Sequence, residues 1–255
     1  MVDAQRTPNV GTWTGIAAIA VAVFTVLEFT IRQIFVGARP SLDDSDALID
    51  FAQRTAAGTL GVILIDTFLM ASLVVFLATF RQLITQVRRD LDWLSALAYG
   101  AGIVWVAITL VGDGLEGGAA LDAATLEPDA HLIRTLTLGH SLLFGAIGCV
   151  LTALVAAASG YVTIVSGALP RWTGRLAIGV SGANVVAVAT VFGGTDDSFH
   201  AVGGWGTALF ATFPWLVWVV CVGVVVIRAR RQHHEVAKAI ATSSIPVATS
   251  PTPTA

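Results

Sequence analysis

Residues 58–80 read GTLGVILIDTFLMASLVVFLATF, and this stretch decides the fold class. It is almost wholly apolar and has the length of about 20 residues that a helix needs to cross the hydrocarbon core of a bilayer. Asp66 is the one ionisable side chain that it contains. The stretch therefore predicts a membrane-spanning helix that carries a carboxyl group inside the membrane.

Further apolar runs of similar length predict five more spans. Hydrophobic residues make up 55% of the chain and charged residues only 12%, with a mean hydropathy of +0.80. Soluble domains carry about 25% charged residues, so this composition favours lipid as the solvent. The sequence thus predicts an all-α polytopic transmembrane bundle of six helices. The expected spans lie near residues 13–35, 58–80, 93–112, 135–160, 174–193 and 204–228.

The segments outside the spans differ in character. Residues 1–12 form a short N-terminal segment that precedes a transmembrane domain of residues 13–228. Residues 229–255 are basic at first and then rich in proline and threonine, which is typical of a disordered tail. The connections at 37–57 and 113–134 are long for a helical bundle, and we expect them to carry short helices on the surface.

Basic residues are enriched in alternate connections, and in membrane proteins such an enrichment marks the cytoplasmic side. Those residues are Arg81, Arg88, Arg89, Arg171, Arg175, Arg228, Arg230, Arg231 and Lys238. The opposite connections are acidic and contain Asp43, Asp44, Asp46, Asp50, Asp122, Glu127, Asp129, Asp196 and Asp197. This pattern predicts a protein of a bacterial-type cytoplasmic membrane, with both termini in the cytoplasm and the acidic connections outside.

Six polar side chains fall within or at the edge of the expected spans, where a charge at the helix centre costs roughly 2.5–3.5 kcal/mol. They are Glu28 and Arg32 in span one, Asp66 in span two, Asp113 at the end of span three, His140 at the start of span four, and Asn184 in span five. At 1.5 Å per residue, Glu28, Asp66 and Asn184 all lie about 12–13 Å below the outer ends of their spans. We therefore expect a polar pocket in the outer half of the bilayer that binds a ligand or couples to protons.

Ordinary structural roles are also open for these residues. Glu28 and Arg32 are four residues apart, so they can form an ion pair within one helix. Asp66 can be protonated, or it can pair with Arg32 and lock two helices together. His140 and Asn184 are of the types that form hydrogen bonds between packed membrane helices.

Two further features concern spans three and five. Asp113 and Glu116 follow the expected end of span three, where both can be ordinary loop residues. Gly179 and Gly182 in span five predict a face of small residues that lets another helix approach closely.

The sequence identifies no cofactor. It contains no phosphate-binding glycine loop, no paired-histidine zinc motif, no Gly-x-Ser-x-Gly elbow and no Cys-x-x-Cys pair. A haem held by two histidines inside the bundle needs a second intramembrane histidine beside His140. The net charge of −3 and the absence of a basic aromatic patch argue against nucleic acid as a partner. The lipid bilayer, with a small polar or lipid ligand, is the expected partner.

Residues 166–176 read SGALPRWTGRL and contain the pattern Leu-Pro-Arg-Trp-x-Gly-x-Leu. This pattern resembles the connection before the fifth span of a family of small multi-pass membrane proteins, common in actinobacteria, whose function is unknown. The late Glu and Arg of span one, the Asp of span two and the His of span four resemble the same family. The resemblance covers most of residues 13–228 and implies the same topology, and it implies no activity.

Three functions from different classes remain open. The first is a binding or transport protein whose pocket holds a small polar, cationic or lipid-like ligand. The second is a membrane-embedded enzyme for a lipid or isoprenoid substrate, with Glu28 or Asp66 as acid or base and His140 as partner. A metal site of Asp66, Asp113 and His140 is a version of the second. The third is a non-catalytic component whose buried charges fix helix register. The first is favoured because the cluster offers few catalytic partners.

Overall fold

A computed structural model describes residues 10–194, 199, 201 and 205–243 of the chain. All regular secondary structure in these residues is helical. Within the described residues, six helices are long and apolar enough to cross a membrane, which confirms the predicted all-α bundle of six spans. They are α1 (Val10–Val36), α2 (Ser45–Val87), α3 (Arg89–Ala123), α4 (Ala130–Ser166), α5 (Arg171–Phe192) and α6 (Ala208–Ala229).

Several expected features fall outside the described residues. They are most of the N-terminal segment, the acidic residues Asp196 and Asp197, and the Pro/Thr-rich end of the chain. The α-helix that begins at Phe213 inside α6 continues beyond Ala229 to Ser243, so it includes the basic first part of the expected tail.

The six helices form a closed ring. Each helix packs against its neighbours in the sequence, and α6 packs against α1. Because short connections join consecutive helices, neighbouring helices run antiparallel. We call the end of the ring where α1, α3 and α5 finish the cluster end.

Three helices contain a π-helical turn near the cluster end. The turns are Arg32–Val36 at the end of α1, Leu143–Ile147 inside α4 and Ala208–Thr212 at the start of α6. In α6, Pro214 has no N–H to donate to the preceding turn, which accounts for the altered hydrogen bonding there. In α4, Gly145 leaves the helical backbone conformation with φ −77° and ψ −105°. Turns of this kind occur frequently at functional sites.

The interior of the ring is an apolar core, and the outer surface is apolar as well. Trp218 is 1% exposed and packs edge-to-face on Phe76 and Phe80, with ring centroids 5.9 Å apart in both pairs. Large apolar side chains such as Leu64 and Val185 are exposed on the outside. A surface of exposed apolar side chains around an apolar core suits lipid and not water.

Helices α2, α3 and α4 are longer than the expected spans. Their extensions take up most of the connections at 37–57 and 113–134, so the expectation of separate short surface helices there is wrong. Asp44 and Asp129 fix two of the helix starts, because their carboxylates accept hydrogen bonds from backbone N–H groups of the first turn. The extensions enclose charged residues that would otherwise lie near the membrane surface.

Glycines shape the contact between α4 and α5. Gly167 ends α4 with φ +67°, a left-handed conformation that favours glycine. A Cβ atom at Gly174 would lie 2.7 Å from the carbonyl oxygen of Gly160, so the two backbones touch. The close approach expected at Gly179 and Gly182 is wrong, because a Cβ atom at either position meets nothing within 4 Å.

Candidate functional site

Four carboxylates and three basic side chains meet inside the cluster end, and we call this group the ionic cluster. They come from α1, α2, α3, α4 and the linker between α1 and α2. The members are Glu28, Arg32, Arg39, Asp66, Asp113, Glu116 and His140. The carboxylates and the imidazole are buried, with none more than 8% exposed. Five of the six predicted site residues therefore lie in one cluster.

Glu116 lies at the centre of the ionic cluster. Its two carboxylate oxygens accept hydrogen bonds from the Arg32 guanidinium at 3.2 and 3.3 Å. Arg39 Nη2 donates to Glu116 Oε1 at 3.2 Å, and His140 Nε2 lies 3.6 Å from Oε2. Paired hydrogen bonds between a guanidinium and a carboxylate are the strong form of this contact. Glu116 therefore holds both arginines in place.

Glu28 is the secondary partner of Arg32. The predicted pair within α1 is present, with Arg32 Nε 3.7 Å from Glu28 Oε1. This distance is longer than both contacts between Arg32 and Glu116. The helix spacing brings Glu28 and Arg32 together, but the neighbouring helix supplies the better geometry.

Asp66 and Asp113 form a carboxyl pair. Their side chains lie within hydrogen-bonding reach of each other. In the described part of the chain, neither is joined to a basic side chain by an ion pair, because Arg32 bonds to Glu116 instead. Asp66 Oδ1 and Asp113 Oδ2 are buried without a hydrogen-bond partner. This pair is the part of the cluster whose charge is least compensated.

His140 of α4 faces α3. While Nε2 points to Glu116, Nδ1 has no hydrogen-bond partner and lies beside the backbone at Gly112, where an added Cβ atom would be 3.5 Å away. The ring stacks on Phe144 with centroids 5.8 Å apart. One ligand atom from each of Asp113, Glu116 and His140 lies within 4.8 Å of the others. These three side chains can converge on one ion.

The ionic cluster has more acidic than basic groups. Four carboxylates face two guanidinium groups, so full ionisation with a neutral imidazole leaves two negative charges in excess. Burial lowers the pKa of the Arg39 guanidinium and Glu116 opposes that shift, but arginine remains charged in proteins. Buried charge without a counter-charge is costly, so protons or a cation must neutralise the excess.

The linker between α1 and α2 covers the ionic cluster. Besides its contact with Glu116, Arg39 lies with Nη1 3.5 Å from Ser141 Oγ. Asp43 of the linker pairs with Arg134 of α4 at 2.6 Å. A small apolar layer lies between the ionic cluster and the tip of the cluster end, and it is formed by Leu42, Leu48, Ala119, Ala123 and Ile133. The cluster is thus enclosed between two apolar layers, and its most exposed members are Arg32 and Arg39, with 26% and 28% of their side chains exposed.

Asn184 of α5 lies outside the ionic cluster and lines a neighbouring cavity with Glu28. It is fully buried, donates Nδ2 to the carbonyl of Val180 at 2.9 Å and leaves Oδ1 without a partner. The cavity is also lined by Thr25, Trp105, Cys149, Thr152, Thr207 and Trp215. The sixth predicted site residue is therefore linked to the cluster through this cavity.

The size of the cavity limits what it can hold. Its volume is about 50 Å³. One water needs ~10–15 Å³ of such space, whereas pockets for drug-sized ligands measure about 300–1,000 Å³. The cavity accommodates a few waters or a small ion, and it is too small for a lipid or an isoprenoid.

Two members of the ionic cluster, Glu116 and Arg39, were not predicted from the sequence as site residues. Glu116 lies beyond the expected end of span three, and Arg39 lies in a connection, so both had the character of loop residues. A spacing of three residues places Asp113 and Glu116 on one helix face, and this is the feature that could have identified Glu116. Nothing comparable marks Arg39, because its position depends on the path of the linker.

Comparisons of the chain with protein-family models, with curated proteins and with solved structures found no match. The resemblance carried by residues 166–176 therefore stays a prediction.

Proposed function

We propose that this chain is a multi-pass membrane protein that binds a small cation at the ionic cluster and carries it across the membrane. The observation that supports the proposal is the charge balance of four buried carboxylates against two guanidinium groups. A cation supplies the missing positive charge, and the unpartnered oxygens of Asp66 and Asp113 offer it ligands. Ionisable side chains inside membrane helices mark ion pathways in many transport proteins.

The remaining hypotheses fit the cluster less well. A lipid or isoprenoid substrate does not fit a cavity of about 50 Å³. A purely structural lock is complete with Glu116, Arg32 and Arg39, which already tie α1, α3 and the linker together. When both are ionised, Asp66 and Asp113 add only repulsion between like charges to such a lock. Binding of a cation gives Asp66 and Asp113 a functional role.

We propose further that both termini lie in the cytoplasm of a bacterial-type cell and that the cluster end faces outward. The support is the distribution of charge along the chain. Basic residues such as Arg171 and Arg175 lie in the connections of the opposite end, whereas acidic residues such as Asp122 and Asp129 lie in those of the cluster end. The cation would then reach the cluster from outside, past Arg39.

Flux into proteoliposomes tests the proposed transport. The wild-type protein and Asp66→Asn are reconstituted, and uptake of radiolabelled Na⁺ and of Mn²⁺ is measured under an inside-negative potential. We expect the wild type to take up at least one of these cations and Asp66→Asn to lose that uptake, because the substitution removes one of the negative charges that the cation balances.

Asp50→Asn is the matched control, because Asp50 lies on the same helix, is exposed and pairs only with Arg54 in the structure described. It should take up the cation at the wild-type rate. Absence of uptake of both cations by the wild type, or equal uptake by a folded Asp66→Asn protein, would contradict the proposal.

A further inference from the structure

We infer that the cation of the ionic cluster is a divalent transition metal held by Asp113, Glu116 and His140. The inference rests on the proposed function and names its substrate class. One ligand atom from each of the three side chains lies within 4.8 Å of the others. Asp113 and Glu116 come from adjacent turns of α3, and His140 comes from the facing part of α4.

Unpartnered atoms point to a missing ligand at this place. Asp113 Oδ2 and the neighbouring Asp66 Oδ1 are buried without a hydrogen bond. Buried polar atoms are nearly always satisfied in folded proteins, and each exception calls for a partner such as an ion or water. An ion held at this place would supply Asp113 Oδ2 with such a partner.

Charge favours a divalent ion over a monovalent one. The four carboxylates and two guanidinium groups leave two negative charges in excess when all are ionised. One divalent cation balances that excess completely, whereas a monovalent cation leaves one charge buried without compensation.

The imidazole favours a transition metal over Mg²⁺ or Ca²⁺. Mg²⁺ and Ca²⁺ bind through oxygen ligands, while imidazole suits zinc, iron, nickel and copper. A site with one nitrogen ligand and two carboxylate ligands therefore favours transition metals such as zinc or iron over Mg²⁺ and Ca²⁺. The metal site considered from the sequence comprised Asp66, Asp113 and His140, and Glu116 takes the place of Asp66 because α3 continues beyond the expected span.

The arginines orient the proposed ligand Glu116. Arg32 and Arg39 both donate to Oε1, and Arg32 also donates to Oε2. Groups that hydrogen-bond to a ligand fix its position, and their loss commonly lowers metal affinity. Because each carboxylate oxygen has two lone-pair sites, Oε2 keeps one acceptor site for an ion.

Titration with Co²⁺ tests the inference. The full-length protein, purified without a polyhistidine tag and treated with a chelator, is titrated with Co²⁺ while visible absorption is recorded. We expect the absorption bands of protein-bound Co²⁺, which Zn²⁺ removes and Mg²⁺ does not. His140→Gln should lower Co²⁺ affinity by at least roughly tenfold.

His131→Gln is the matched control, because His131 is exposed at the first turn of α4 and should not change Co²⁺ affinity. Should His140→Gln fail to fold, as judged by its helical circular dichroism, Asp113→Asn takes its place with the same expectation. Binding of Co²⁺ by the folded variant as tightly as by the wild type would overturn the inference.

The outcome is separable from that of the proposed function. A wild-type protein that binds no Co²⁺ or Zn²⁺ but takes up Na⁺ in an Asp66-dependent manner overturns the metal and leaves cation transport standing. A protein that neither binds these metals nor takes up any cation overturns both, and protons then balance the cluster.

Discussion

We expect the loss of Glu116 to destabilise the ionic cluster more than the loss of any other member. Both arginines of the cluster bond to it, so Glu116→Gln leaves two partly buried guanidinium groups without their main counter-charge. Removing one partner of a buried ion pair costs about 3–5 kcal/mol. We expect a decrease of that size in the free energy of unfolding, measured in mixed micelles of mild detergent and SDS.

Glu127→Gln is the control for that measurement, because Glu127 is exposed in the connection between α3 and α4. Its free energy of unfolding should equal that of the wild type. Equal stability of Glu116→Gln and Glu127→Gln would show that the contacts of Glu116 contribute little.

Asp66 should behave in the opposite way, although it lies in the same cluster. Its carboxyl group faces Asp113 and has no basic partner within 4.0 Å in the described chain. In the presence of a chelator, Asp66→Asn removes like-charge repulsion, so we expect unchanged or higher stability in the same unfolding assay. A loss of stability as large as that of Glu116→Gln would contradict this account.

The depth of each residue could be predicted from the sequence, but its environment could not. Depth follows from the position of a residue in an apolar run, which placed Glu28, Asp66 and Asn184 near one level. The choice of partner depends on helix rotation, which a single sequence does not reveal. Arg32 therefore had Glu28 as its evident partner, whereas in the structure Glu116 binds it more closely.

At the scale of helices, the contact between α4 and α5 depends on two glycines. A methyl group at Gly174 would meet the Gly160 carbonyl oxygen at 2.7 Å. We expect Gly174→Ala to lower the free energy of unfolding by about 1–3 kcal/mol, because neither backbone can move aside without cost. Equilibrium unfolding in mixed micelles measures the change.

Gly179→Ala provides the comparison on the same helix. Its Cβ atom meets nothing within 4 Å, and alanine restricts the unfolded chain more than glycine does. We expect no loss of stability, or a gain of up to about 1 kcal/mol. Equal destabilisation by both substitutions would mean that α5 is rotated away from the described contact.

The α1–α2 linker should control access to the cluster and the adjoining cavity. Hydrogen bonds to charged groups contribute about 1.5–3 kcal/mol, so Arg39→Gln should make opening of the linker roughly tenfold more frequent or greater. Cys149 lines the cavity and is buried, which makes it a native probe. With Cys221 replaced by alanine, we expect faster modification of Cys149 by a small thiol reagent.

Arg54→Gln serves as the control, because its guanidinium is exposed and pairs with Asp50 on the surface of α2. It should leave the rate of Cys149 modification unchanged. A rate in Arg39→Gln equal to the wild-type rate would show that the linker does not close the route to the cavity.

For the whole molecule, hydropathy was sufficient to predict six spans but not the full length of the helices. The apolar composition that marks a span weakens at its ends, so Gly112 was the expected end of span three. The helix continues to Ala123, because small residues such as Ala119 and Ala123 pack against the extended start of α4. In these extensions, residues that were expected in loops form a second, smaller apolar core.

Orientation can be tested at two exposed positions. In a protein without native cysteines, Ala124→Cys lies at the cluster end and Gln86→Cys lies at the opposite end. We expect a membrane-impermeant maleimide to label Ala124→Cys in intact cells and Gln86→Cys only after permeabilisation. The reverse pattern would place the cluster end in the cytoplasm.

The length of α2 has a mechanical consequence. Asp66 lies equally far from the two ends of this helix, Ser45 and Val87, and each end is about 32 Å away at 1.5 Å per residue. A rigid rod that tilts about its midpoint swings its ends in opposite directions and moves its centre least. One degree of tilt about Asp66 would displace each end by about 0.6 Å. If α2 tilts as a rigid rod about the carboxyl pair, its two ends move in opposite directions. A tilt that separates α2 from a neighbouring helix at one end would therefore bring the two helices closer at the other end.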